Sequence, residues 1–336
     1  MKALVITRFG GPEVLELQPV PDPHPAPDQL LVKVEAGGLN FADLLTARGG
    51  YVGTPNPPLT AGREFSGCEE STGRRVMGYT QFAAFAEKTA AQRSLVWPVP
   101  ENWTAEQAAA FPVNFFTAYF AYWKAGLLDH PNDKANAQVN GKPARVLIHA
   151  VAGGVGTAAV QIGKILGVEM YGTSSSDDKL ARVRELGLQH GINYKQRDYL
   201  EAIKELTNDE LMSGDSARGQ GVDAVFEMLG GEHVNKSVRC LRAFGRVICY
   251  GSATGEIPQL DTRLLYAKGA SVHGLWLSYL SANRPLMDSA WHQLSEWLAA
   301  GKLTPVIGKV FPLEQAREAY TLMQDGKNYG KIVLKI

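Results

Sequence analysis

The sequence predicts an α/β protein in which a doubly wound parallel sheet is inserted into a mostly β domain. Three observations carry that prediction. From residue 145, short apolar β-rich runs alternate with helical stretches, the signature of βαβ units. A glycine-rich turn opens the first of those helices. Turn-rich, β-leaning sequence flanks the alternation on both sides.

In chain order, residues 2–7 (KALVIT) and 30–36 (LLVKVEA) read as strands. Residues 19–27 carry five prolines in nine positions and form a rigid extended connector. Thr104 is an N-cap candidate with Gln107 three residues on, so a helix is expected over 105–111. Pro112 is expected to interrupt it, with a second apolar helix over 115–124 ended by Gly126. Residues 128–144 are polar and rich in Pro, Asn and Gly, hence a surface loop. Strands follow at 145–150, 168–173, 190–194, 222–226 and 246–250. Helices at 156–166, 177–186, 199–206 and 234–241 separate them, and Gly167 and Gly187 close the first two. Beyond Gly251 the pattern gives strands at 271–277, 306–311 and 331–336, and helices at 289–300 and 313–325.

The 336 residues balance 34 Lys and Arg against 34 Asp and Glu. That neutrality argues against a nucleic-acid or membrane-surface partner, both of which need a cationic face. The three cysteines, Cys68, Cys240 and Cys249, make no disulfide framework and no four-cysteine zinc site. Residues 1–17 have no secretory h-region, so a soluble cytoplasmic protein is expected.

The informative stretch is Ala152-Gly153-Gly154-Val155-Gly156, a variant of the dinucleotide fingerprint between an apolar strand and a helix. Glycines there let backbone N–H groups and a helix N-terminus approach a pyrophosphate. The competing reading is a glycine turn needed only for strand–helix packing. At the end of the next strand, where NAD sites usually carry an acid for the ribose, stand Ser174 and Ser175, with Lys179 beyond. Hydroxyls and an ammonium suit a 2′-phosphate, so NADPH is expected over NADH. Asp177 and Asp178 read as first-turn helix residues, with Ser176 as the N-cap.

Several pieces in fixed order extend this: Gly38-Leu39-Asn40-Phe41-Ala42-Asp43, Ala61-Gly62-Arg63-Glu64-Phe65-Ser66-Gly67, Glu227-Met228-Leu229-Gly230 and the terminal Tyr329-Gly330-Lys331-Ile332-Val333-Leu334. With the glycine loop, they resemble the zinc-free quinone oxidoreductases, the zeta-crystallin-like branch of the medium-chain dehydrogenase/reductase superfamily. The resemblance runs nearly end to end. It implies a GroES-like β-rich catalytic domain over 1–122 and 271–336, and a Rossmann domain over 123–270. Zinc-dependent relatives carry Cys-His where this chain has Asn40-Phe41, and Gly-His-Glu where it has Gly62-Arg63-Glu64, so no metal is expected. An ion pair between Arg63 and Glu64 is the expectation for that arginine.

The activity implied is zinc-independent transfer of hydride from NADPH to a quinone. The alternative is reduction of an activated C=C bond in an enal, enone or enoyl thioester, so the partner is a small electrophilic acceptor. A reading from another class is a non-catalytic NADPH-binding scaffold. The resemblance sets Asn40 and Tyr51 near the nicotinamide, with Tyr51 either donating a proton or packing on the cofactor. It adds cofactor contacts from Tyr194, Gly251, Ser252, Gly274, Leu275 and Trp276, and it implies a homodimer. Some relatives carry an active-site Tyr where this chain has Leu45. His149 and the three cysteines read as buried structural residues.

Overall fold

A computed structural model describes residues 1–128, 137–139, 141–208 and 219–336. They form two compact units, one of residues 1–115 with 304–336 and one of 116–303. The first begins with β1 (Lys2–Ile6), β2 (Leu15–Pro19), β3 (Gln29–Leu39), α1 (Phe41–Ala47), β4 (Leu59–Thr60), β5 (Glu64–Glu69), β6 (Arg75–Tyr79), β7 (Lys88–Gln92), β8 (Val96–Pro98) and α2 (Ala105–Ala109). The boundary then falls inside α3 (Pro112–Lys124).

The second unit continues with β9 (Gln138–Val139), β10 (Lys142–Pro143), β11 (Arg145–Ile148), α4 (Gly154–Leu166), β12 (Glu169–Ser174), α5 (Asp177–Leu186), β13 (His190–Asn193), α6 (Tyr199–Leu206), β14 (Val222–Glu227), α7 (His233–Cys240), β15 (Leu241–Cys249), α8 (Thr262–Lys268), β16 (Ser271–Gly274), α9 (Leu277–Leu280) and α10 (Arg284–Ala299). The chain returns to the first unit with β17 (Ile307–Pro312), α11 (Ala316–Gln324) and β18 (Lys331–Lys335).

In the second unit six parallel strands lie in the order β13-β12-β11-β14-β15-β16. Renumbered from β11, this is the 3-2-1-4-5-6 order of a dinucleotide-binding sheet. β11 and β14 are buried along their whole length, because helices cover both faces of such a sheet. The first unit holds a seven-stranded sheet in which β18 lies between β17 and β3, and a three-stranded sheet β2-β1-β4. Its core gathers Val32, Val34, Phe65, Phe85 and Tyr320 with Ile332 and Leu334 from β18.

Several expectations need correction. Pro112 does not interrupt a helix; it is the first residue of α3, where a missing N–H costs nothing. α10 starts at Arg284, five residues before the expected start, because the Asn283 side chain caps it by accepting from Leu286 N and Pro285 sits at its start. β16 stops at Gly274, and Trp276 becomes the N-cap of α9. The units also divide at different places from the expected 122 and 271. β16 pairs with β15, so residues 271–303 stay with the parallel sheet. The loop expected over 128–144 falls partly outside the described residues; within it, β9 and β10 form a short antiparallel pair.

Candidate functional site

The candidate residues of the second unit collect at one edge of its sheet. Strands in a parallel sheet all point the same way, so the residues that follow them emerge together. Ala152–Gly156 follow β11, Ser174 ends β12 with Ser175 next, and Tyr194 follows β13. Gly251 and Ser252 follow β15, Gly274 ends β16, and Leu275 and Trp276 come after it. Lys179 stands in the first turn of α5.

The glycine loop is shaped before any ligand arrives. Ala150 takes φ +48° and its carbonyl accepts the Gly153 N–H at 2.9 Å. A Cβ on Gly156 would lie 2.4 Å from Val151 O and 2.6 Å from Ala150 O, so this glycine lets the helix pack against its own loop. Gly153, Gly154 and Val155 remain partly accessible at the N-terminus of α4, and the first N–H groups of a helix have no intrahelical acceptor. That arrangement suits phosphate oxygens.

The ribose end is equally specific. The Ser176 side chain accepts from Lys179 N and caps α5. Asp177 Oδ2 accepts the side-chain amides of Asn193 (3.2 Å), the last residue of β13, and Gln196 (2.8 Å), which ties the start of α5 to the end of β13. Burial, followed by the neighbouring Lys195 charge, lowers the pKa of Lys179. Two ammonium groups near each other, in the chain that follows β12 and β13, favour an extra phosphate. Lys195 was not anticipated; a second cation two residues beyond Asn193 was its only sequence signal.

The loop after β15 is laced to the loop after β14. Ala253 N donates to Met228 O and Thr254 N to Leu229 O, each at 2.9 Å. Leu275 N donates to Cys249 O at 2.8 Å, which fixes the turn before the half-exposed Trp276.

In the first unit, Asn40 and Tyr51 belong to a buried charge cluster. Asn40 is the N-cap of α1, and its backbone N–H donates to Asp43 Oδ2 at 2.8 Å. Its Nδ2 donates to Gly38 O (3.1 Å) and Glu64 Oε1 (2.8 Å), and its Oδ1 accepts from Lys331 Nζ (2.6 Å). Both amide hydrogens are therefore committed inside the fold. Lys331 also pairs with Glu64, whose Oε2 accepts the Val113 N–H.

Arg63 does not pair with Glu64 as expected. It is 2% exposed, its Nε lies 3.6 Å from Asp43 Oδ1, and it donates to Thr46 Oγ1 (2.6 Å) and Gln81 O (2.9 Å). Glu64 is taken by the C-terminal strand, which sequence spacing could not foresee. The Arg63 guanidinium lies 3.9 Å from the Tyr51 ring centroid and 4.9 Å from that of Phe82. Burial pushes the Asp43 carboxyl up to about 6 even against the Arg63 charge.

This cluster suits a divalent metal poorly. Two of its four charged groups are cations, and each carboxylate is paired with one of them. His149 is buried with both ring nitrogens partnered, as a structural histidine should be. Of the cysteines only Cys240 is buried; Cys68 and Cys249 are partly exposed. Burial nevertheless raises the Cys240 and Cys249 thiols to about 12.

Two family descriptions match the sequence: "Alcohol dehydrogenase GroES-like domain" over residues 26–84 and "Zinc-binding dehydrogenase" over residues 154–300. The quinone oxidoreductase of Mus musculus is 31% identical, over 99% of this chain and 97% of its own. The synaptic vesicle membrane protein VAT-1 homolog of Danio rerio is 32% identical over 99% of this chain and 69% of its own. Among solved structures, the quinone oxidoreductase of Thermus thermophilus, described also in complex with NADPH, is 33% identical with a TM-score of 0.81 over the full length of both chains.

Proposed function

Because the chain belongs to the zinc-free quinone oxidoreductase branch of the medium-chain dehydrogenase/reductase superfamily, we propose that it is an NADPH-dependent reductase of quinones. The observation that carries the cofactor half is the carboxyl edge of the parallel sheet. There the residues at the N-terminus of α4 are partly accessible after the glycine loop, the Lys179 and Lys195 charges lie near each other, and the chain at Tyr194 is tied to Ser174. Identity to quinone oxidoreductases across nearly the whole of both chains supports the acceptor half.

NADPH, when bound, supplies hydride to an acceptor whose oxygen takes up the charge. The chain's own residues bind and orient. Ala152, Gly153, Gly154 and Val155 cradle the pyrophosphate, and Gly156 keeps the helix close enough for them to do so. Ser174, Ser175, Lys179 and Lys195 hold the 2′-phosphate. Tyr194, Gly251, Ser252, Gly274, Leu275 and Trp276 line the rest of the dinucleotide.

Tyr51 offers its hydroxyl to the oxygen that becomes negative, with its ring steadied by Arg63. Asn40, its amide hydrogens committed, acts by fixing the start of α1 rather than as a donor. A cytoplasmic homodimer completes the proposal, joined at β16, an edge strand with partly exposed residues.

The test follows NADPH absorbance with benzoquinones, enones and enoyl thioesters at equal cofactor concentration. Quinone turnover well above the others is expected. Faster alkene reduction would move the acceptor to activated C=C bonds, and binding without turnover would make the protein a scaffold.

A further inference from the structure

The parallel sheet reverses winding between β11 and β14, and ligands of such sheets bind outside the carboxyl ends at that point. Beneath it lie three fully buried polar side chains that the proposed reaction does not use: His149 just after β11, Glu227 ending β14, and Ser237 on α7. The strands set His149 and Glu227 side by side, since Ile148 and Phe226 are paired in register.

Glu227 is engaged through both carboxylate oxygens. Its Oε1 accepts the backbone N–H of Leu229 (2.5 Å) and Gly230 (3.1 Å). Gly230 and Gly231, at φ +78° and +53°, then turn the chain against Ser252 and Glu256. Its Oε2 accepts the Ser237 hydroxyl and lies 3.5 Å from His149 Nε2. Ser237 Oγ is 3.1 Å from the same nitrogen, and Thr173 Oγ1 is 3.0 Å from Nδ1. Thr173 immediately precedes Ser174.

Donor and acceptor chemistry assigns a direction to this chain of contacts. An ionised carboxylate only accepts, so the single Ser237 hydrogen goes to Glu227. Ser237 Oγ must then accept from His149, which places the ring hydrogen on Nε2 and leaves Nδ1 to accept from Thr173. The run is Thr173 to His149 to Ser237 to Glu227, and the Tyr199 hydroxyl meets it at Ser237. The neutral ring this requires agrees with burial, which lowers His149 to about 4.

We propose that Glu227 is a positioning residue of the dinucleotide site: its carboxylate sets the direction of this chain, and the chain holds the ends of β11, β12 and β14 in register for the cofactor. The inference rests on the reading of the second unit as an NADPH site. It adds a residue that touches no ligand but controls three of the loops that would. Loop ends carried on separate strands gain affinity when their geometry is fixed before binding.

Glu227→Gln separates this from a merely structural role. The amide oxygen can keep the Leu229 and Gly230 N–H groups, and its NH2 then faces Ser237. The proposal expects Ser237, accepting from that NH2, to turn its own hydrogen to His149 Nε2, so that the His149 hydrogen moves to Nδ1. Nitrogen-15 shifts of the His149 ring in cofactor-free protein are expected to report the Nε2–H tautomer in the parent and Nδ1–H in the variant. Fluorescence titration should show NADPH bound roughly tenfold more weakly, while kcat at saturating NADPH stays within about twofold.

Should Glu227→Gln not fold, Ser237→Ala reads the same role: the Nε2–H tautomer is retained, and NADPH affinity still falls. An unmoved tautomer in folded Glu227→Gln, or NADPH affinity unchanged in the folded variant, overturns the proposal. A parent protein that fails to bind NADPH overturns the underlying reading of the site, and this role with it.

Discussion

The guanidinium of Arg63 lies 3.9 Å from the centre of the Tyr51 ring, with Asp43 3.6 Å from its Nε. A permanent cation thus stands buried at the position where zinc-dependent relatives carry a histidine, and its counter-ion comes from the first turn of α1. The pair is an internal strut between a helix start and a loop that carries a candidate active-site phenol.

Arg63→Met should therefore cost stability and activity together. Removing one partner of a buried pair typically costs about 3–5 kcal/mol, because the other charge is left uncompensated. Chemical denaturation should detect that loss. Arg63→Lys should recover part of the stability but little of the acceptor turnover, since an ammonium lacks the planar stack on Tyr51. Full turnover in Arg63→Met would remove the strut from the mechanism.

Tyr51→Phe tests the phenol itself. Loss of the hydroxyl should lower kcat for acceptor reduction by about 10²-fold, the range for a group that donates to a developing oxyanion, and leave NADPH affinity in place. Steady-state kinetics at saturating NADPH make the measurement. An unchanged kcat would assign Tyr51 to packing alone.

If Lys179 holds the 2′-phosphate as proposed, Lys179→Ala should weaken NADPH binding roughly tenfold and leave NADH binding unchanged. The same substitution should reduce the salt dependence of NADPH binding. Paired titrations with the two cofactors decide it, and an unaltered NADPH preference would falsify the assignment.

Stability should respond to acid with two opposite signs. Asp43, raised from 3.8 to about 6 by burial, keeps its proton longer folded than unfolded. Its favourable contribution is complete below about pH 4 and is lost as pH rises through about 6. His149, lowered by burial from 6.5 to about 4, behaves in reverse: its contribution is complete above pH 6.5 and is lost as pH falls to about 4. Urea midpoints between pH 4 and 7 should gain a positive slope with pH in Asp43→Asn and lose one in His149→Gln. Parallel profiles for parent and variants would contradict both assignments.

Much of the second unit was legible because its signals are local. α5 and α6 match their expected bounds to the residue, with Ser176 and Asp198 capping them, and Gly167 ends α4 in the left-handed region at φ +70°. The glycine turn between β11 and α4 was readable for the same reason, since strand, glycines and helix are contiguous. Contacts between distant segments were not readable. Nothing within ten residues of Arg63 names Asp43 as its counter-ion, and nothing near Glu64 names Lys331. Both pairs exist because β5, α1 and β18 converge in the folded unit. The membership of β16 was hidden likewise: a four-residue strand shows no neighbour in its own sequence, and only pairing with β15 assigns it to the parallel sheet.

The position of β18 between β17 and β3 has a consequence for how the chain is made. A ribosome releases residues 116–303 before residues 304–336, so the parallel-sheet unit can close while its neighbour still lacks two strands. Until Lys331 emerges, Glu64 and Asn40 have no ammonium to bury against, and β3 exposes an open edge. The nascent first unit is thus the part in need of chaperone cover, and stalling translation before residue 331 should leave it protease-sensitive while the inserted unit resists digestion.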